Sequence, residues 1–176
     1  MSQQEAGKLV DYLTEQVESG YTIVTWNGVG FDFDVLAEES NQRQRCRRLA
    51  RAHVDMMFHA LCRIGHGVSL NAAAKGMCLA GKPHGITGAL VPQLWAAGLR
   101  REVLEYVEQD VRVTLKLVET CEKVGFLCWE TVAGRKRKMG IPNGWLNVIS
   151  AEKLPKPKQS WLSVQWDRDR FTGWTT

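Results

Sequence analysis

Thr22-Ile23-Val24-Thr25-Trp26-Asn27-Gly28-Val29-Gly30-Phe31-Asp32-Phe33-Asp34-Val35-Leu36 changes character twice. It begins as a β-branched, apolar run, the composition of a buried strand over 21–26. It breaks at Asn27, Gly28 and Gly30, where a turn needs backbone freedom. Asp32 and Asp34 follow, and a helix is expected from about Val35-Leu36-Ala37. An acid at the carboxyl end of a buried strand stands where open α/β sheets place ligands and chemistry. A carboxylate just before a helix also serves as an N-cap. Both readings of Asp32 and Asp34 stand on this stretch alone.

Working outward, residues 4–19 carry Ala6, Leu9, Val10, Leu13 and Val17 on one helical stripe, with Gly20 placed to end it. On the other side, Val35 to about Arg51 reads as a helix whose later half holds Arg43, Arg45, Arg47, Arg48 and Arg51. A solvated face, aided by the helix dipole, is favoured over a phosphate-contacting one. Residues 52–57 are expected to give a short strand running into a helix over 56–64, closed by Gly65. Ser69 caps a short helix to Ala74, residues 76–90 read as loop, and Pro92 opens a helix to Ala97. The longest element is a helix from Arg100 to about Lys123, with Val103, Leu104, Val107, Val111, Leu115 and Val118 facing the core. Residues 126–132 are strand-like, Gly134 with Arg135-Lys136-Arg137-Lys138 reads as a hairpin tip, and an irregular extension follows Pro142.

Charge divides the chain at the same place. Residues 1–125 hold 14 Lys+Arg against 15 Asp+Glu, whereas residues 126–176 hold nine against four. That tail also carries Trp129, Trp145, Trp161, Trp166 and Trp174, five of the seven tryptophans. The expected organisation is an α/β domain over 1–125 and a basic, Trp-rich extension over 126–176 packed on it. No apolar run approaches the ~18–20 residues of a membrane span, and residues 1–7 do not resemble a secretory signal. Cys46, Cys62, Cys78, Cys121 and Cys128 are odd in number and form no CxxC pair. They are therefore expected to be buried free thiols in a reducing, cytoplasmic setting, with no membrane partner.

Tyr106 and Asp110 lie four apart on the long helix and so share a face, interleaved with Val103, Val107 and Val111. If that helix packs beside the strand at 21–26, Asp110 approaches Asp32, and two such carboxylates repel unless a cation joins them. Oxygen ligands with open positions suit Mg²⁺ or Mn²⁺. Asn27-xxx-Phe31-Asp32-xxx-Leu36 and Tyr106-xxx-Asp110 resemble, in order, the second and third motifs of the DEDD superfamily of 3′–5′ exonucleases in their tyrosine form. The subgroup is similar to the proofreading domain of family B DNA polymerases. Ser69-Leu70-Asn71 and Gly81-Lys82 look like the variable segment between the motifs.

The resemblance, over about residues 4–124, implies a ribonuclease H-like fold and two-metal phosphodiester hydrolysis at a single-stranded 3′ end. It implies Asp32 and Asp110 as metal ligands and Tyr106 as the residue orienting the attacking water. Asn27 would shape the turn at the substrate, and Phe31 would anchor the core. The family's first motif, Asp-x-Glu on an opening strand, occurs nowhere in this sequence. The opening three-strand meander is expected before residue 4. The expectation is thus a fold lacking its N-terminal strands, with an incomplete or inactive acid set. The alternative is a non-catalytic nucleic-acid-binding module, in which Arg135, Lys136, Arg137 and Lys138 meet phosphates and tail tryptophans stack on bases. Packing of those tryptophans on the body is the simpler account of them. A zinc site on His53, Asp55, His59, Cys62 and His66 is a remote further reading.

Overall fold

A capping box starts the first helix. The Ser2 hydroxyl accepts from the Glu5 N–H, and the Glu5 carboxylate accepts from the Ser2 N–H. The structure, a computed structural model, describes residues 2–79 and 88–176. It divides into two compact units, Met1–Val68 with Pro142–Thr176, and Ser69–Ile141. These units cut across the compositional boundary at residue 125, because the hairpin after it belongs to the second unit and the remaining tail to the first.

In the first unit, helix α1 (Gln3–Glu18) buries Ala6, Gly7 and Val10 and packs on α2 (Asp32–Ser40) and α3 (Arg43–Ala52). Leu9 and Val17 stay exposed, so the buried stripe is narrower than the apolar spacing implies. The single helix expected over Val35–Arg51 is two helices, separated where Asn41 takes φ 54°. An apolar-periodic pattern spans such a break unchanged, since one left-handed residue re-aims the chain without altering the spacing.

Strand β1 is only Val24–Thr25, paired in parallel with β2 (Val54–Asp55) in the register Val24↔Val54 and Thr25↔Asp55. The buried strand expected over 21–26 is therefore shorter and half-buried. Among the described residues this sheet has two strands, and a pair with one ladder covers little of either strand. Helix α4 (Met56–Ile64) runs straight on from β2, buries every residue from Met56 to Cys62, and ends at Gly65, φ 87°. With α8 (Val148–Glu152) packed on α4 and α3, it closes a core that includes Val10, Val29, Leu36, Phe58, Leu61 and Val148. Helix α9 (Asp169–Thr172) contributes Phe171.

The second unit holds α5 (Leu70–Gly76), capped by the Ser69 hydroxyl, α6 (Val91–Ala96) and α7 (Arg100–Val124). It also holds an antiparallel hairpin of β3 (Phe126–Glu130) and β4 (Lys136–Gly140). Helix α5 lies so close on β3 that a β-carbon on Gly76 would stand 2.3 Å from the Trp129 Cα. The basic run is not wholly a tip, since Lys136, Arg137 and Lys138 belong to β4 and only Arg135 precedes it. Gly81-Lys82 and most of the expected 76–90 loop lie outside the described residues.

Helix α7 corrects the expected core face. Its buried side is Val103, Tyr106, Val113, Leu117 and Cys121, with Val118 beside it. Leu104, Val107, Val111 and Leu115 are 47–63 % exposed. The apolar residues form two adjacent stripes about 100° apart. Spacing alone merges them into one.

Candidate functional site

The acid turn is built from backbone outward. Asn27 sits in the left-handed region at φ 72°, so it shapes the turn as expected. The fully buried Asp55 carboxylate gathers the turn: Oδ1 accepts from Asn27 N–H (3.0 Å) and Phe58 N–H (2.9 Å), and Oδ2 from Val29 N–H (2.9 Å). One side chain thereby caps α4 and fixes the turn after β1. Burial drives its pKa up, and the backbone donors from Phe58, Val29 and Asn27 work against that rise.

A second set of bonds enters through histidine. His53 Nδ1 lies 2.6 Å from the Ala50 carbonyl, which only accepts, so Nδ1 carries the proton. Burial lowers the His53 pKa to about 4, so at neutral pH Nε2 is bare. Nε2 then accepts the Thr25 hydroxyl proton at 2.9 Å, and Thr25 Oγ1 accepts the Gly28 N–H at 3.1 Å. A β-carbon on Gly28 would stand 2.4 Å from Thr25 Oγ1, which makes glycine necessary at this close approach.

This turn delivers Phe31 and Asp32 to the start of α2. Neither Asp32 nor Asp34 caps the helix: the N-cap is Phe31, with no side-chain bond, and both acids lie in the first turn. Asp32 is exposed, yet the protein behind it desolvates its carboxyl and raises the pKa. Its own backbone N–H works against that rise, and the charge of Asp55 adds to it. The expectation that Phe31 anchors the core is overturned, because its ring is 62 % exposed and Phe33 is the buried neighbour. Asn27 Oδ1 is buried and has no hydrogen-bond partner among the described residues.

The other expected site residues belong to the second unit. Tyr106 is buried, and Asp110 is half-buried in line with the Val103–Tyr106–Val113 face. Arg135, Lys136, Arg137 and Lys138 are all exposed, but strand alternation divides them. Lys136 and Lys138 share a face, opposite Glu130 and Cys128, whereas Arg137 stands opposite Trp129. Lys138 Nζ lies 3.4 Å from the centre of the Phe126 ring. Of the arginines on α3, Arg43 pairs with Glu38, Arg45 with Asp11 and Arg51 with Glu152, leaving Arg47 and Arg48 as exposed cations facing solvent.

The zinc reading finds no support. His53 and His59 are buried and engaged, His59 Nδ1 accepting the Leu146 N–H at 3.2 Å, and Asp55 is used by the backbone. Among the described residues no three His, Cys, Asp or Glu gather as a metal would need. That result bears on Mg²⁺ and Mn²⁺ as well. In the acid turn Asp32 is an exposed carboxylate, Asp34 a half-exposed one, and Asn27 Oδ1 a buried amide oxygen without a partner among the described residues, whereas a two-ion site is held by a gathered set of carboxylates.

Cys46, Cys62 and Cys121 are buried free thiols as expected, but Cys78 is exposed. Trp129 and Trp145 are buried and Trp174 half-buried, whereas Trp161 is 65 % exposed. No helix among the described residues is long and apolar enough to cross a membrane.

Asp55 is the residue that sequence reasoning missed as a part of this site. Its signal was present, an acid directly before an apolar helix, which marks an N-cap. Compared with known families, residues 1–122 match the model of the RNase_H superfamily. No curated protein and no solved structure matches the chain.

Proposed function

The chain belongs to the RNase H superfamily, whose membership suggests nuclease-like nucleic-acid activity, and on that premise we propose that it is a 3′–5′ exonuclease-type domain that captures a single-stranded 3′ end. The observation that carries this is the acid turn. A backbone held by Asp55 and by the Thr25–His53 pair presents an open carboxylate, Asp32, and beside it an exposed aromatic ring, Phe31. A ring facing solvent next to a carboxylate gives a base a stacking surface. Lys136, Lys138, Arg135 and Arg137 supply cations for phosphates from the hairpin of the second unit.

Asp32 and Asp110 are the proposed metal ligands and Tyr106 the residue proposed to orient the attacking water, with Mg²⁺ or Mn²⁺ as the ion that such chemistry uses. Among the described residues no group of donors makes a two-ion site, so the activity proposed for the chain is capture without rapid hydrolysis. The missing donors favour the binding module over the complete enzyme. Further carboxylates joining Asp32 would convert one into the other.

Two measurements test this. Binding of a labelled single strand should weaken steeply with salt, and changing Arg135, Lys136, Arg137 and Lys138 to Ser should flatten that slope by between two and four phosphates. An unchanged slope would remove the hairpin from the interface. In Mn²⁺ the same strand should be cleaved little or not at all. Robust release of nucleotides that is lost in Asp32→Ala would overturn the incomplete acid set.

A further inference from the structure

We infer that the C-terminal segment 166–176 is a clasp on the acid turn, with Trp174 as the positioning residue that fixes the Val29 peptide from which Phe31 and Asp32 are presented. The inference rests on the reading of that turn as the strand-binding site. Asp55 holds the N–H of Val29 from one side. From the other, the Trp174 indole N–H donates to the Val29 carbonyl at 2.7 Å. Both backbone polar groups of Val29, on the two successive peptides that flank its Cα, are thus held, one step before Gly30. There the Phe171 ring stands 2.6 Å from where a β-carbon would be, so the ring closes over bare backbone.

The clasp has its own anchors, on elements other than the turn. Phe171 packs against Phe58 of α4 and stacks parallel to Trp166, centres 6.1 Å apart. Arg168 is buried and donates to the carbonyls of Cys62, Glu152, Leu154 and Pro155. Arg43 donates to the Trp174 carbonyl at 3.3 Å, and Arg51 to the Thr175 hydroxyl at 3.0 Å. Thr175 is wholly buried. A segment tied in this way to α3 and α4 transmits their rigidity to the turn, which a flexible tail would not. Trp161 provides the contrast, since its ring meets His66 edge-on and is mostly open to solvent.

The test uses the full chain and two tryptophans. Trp174→Phe removes the indole donor and leaves a ring. It should raise amide exchange at Val29, Gly30 and Phe31 at least tenfold and weaken binding of a labelled single strand about fivefold, with exchange in α4 unchanged. Trp161→Phe should leave exchange in the turn as it was. Phe31→Ala tests the underlying reading separately: if it does not weaken binding, the turn is not the strand site. If Phe31→Ala weakens binding while Trp174→Phe alters neither exchange nor binding, the clasp is wrong and the site stands. Native-state exchange on the unaltered chain needs no variant. The Trp174 indole N–H and the Val29 amide should open together as denaturant rises, and a tail that opens first without exposing the turn would overturn the inference.

Discussion

The acid turn and the outer face of α7 are opposites. In the turn, Asn27, Gly28 and Val29 each have a backbone N–H taken by a side chain, from Asp55 or Thr25. On α7, Leu104, Val107, Val111 and Leu115 form an apolar row with about half of each residue open to water. The turn is made of residues a sequence scan calls loop, and the row of residues it calls core. Burial follows from what lies opposite a residue, and neither composition nor spacing records that. The comparison also separates kinds of order: the turn is fixed by Asp55, distant in sequence, together with the nearby Thr25, while α7 is fixed locally and by its other face.

The largest effect should come from Asp55→Ala. It leaves three backbone N–H groups without their acceptor in a buried place, at ~1–3 kcal/mol each. The total should reach about 4 kcal/mol or more, seen as a shift of the denaturant midpoint and as exchange of the Asn27 and Val29 amides. A cost below about 1 kcal/mol would mean that the turn is not held as described.

Acid should act next. Burial holds His53 and His59 at a pKa of about 4 in the folded chain, against an ordinary 6.5. Between these values the unfolded chain binds more protons, so stability rises with pH and is lost as pH falls from 6.5 towards 4. Each histidine contributes up to ~3 kcal/mol at about 1.4 kcal/mol per pKa unit. Asp55, with its pKa raised, acts in the opposite sense over its own titration and reduces the net loss. Thermal unfolding from pH 7 to 4 measures the sum, and replacing His53 with Gln should flatten the curve.

The smallest effect should be on the apolar row. Gln at Leu104, Val107, Val111 or Leu115 should change stability by less than about 0.5 kcal/mol each, as exposed substitutions do. A joint loss above about 2 kcal/mol in denaturant unfolding would show that this face is covered in solution, and the two regions would then be alike in kind.

Much of the element order was readable. Gly20 and Gly65 as closing residues and Ser69 as a cap are local signals, and the helices they bound are present. The break at Asn41 was not, because nothing in the apolar spacing marks it. In the site, Asn27 was legible as a turn former from its type. Asp55 was legible as a helix cap, but its grip on Asn27 and Val29 joins residues 26 to 28 apart in sequence. Phe31 as a core anchor was carried over from the motif resemblance, and the ring is exposed instead. Here the helix starts one residue later and turns Phe33 inward in its place.

Arg168 counts among the cations that make the tail basic, yet it faces no phosphate. Its guanidinium lies among carbonyls from the last turn of α4 and the end of α8, the negative poles of two helices. It serves as a shared counter-ion inside the protein, so one of the nine positive charges of the tail is withdrawn from the external field. Lysine would keep the charge but could not reach four diverging acceptors from one ammonium. The electrostatic surface available to a nucleic acid is therefore smaller than composition suggests, and part of what reads as affinity is architecture.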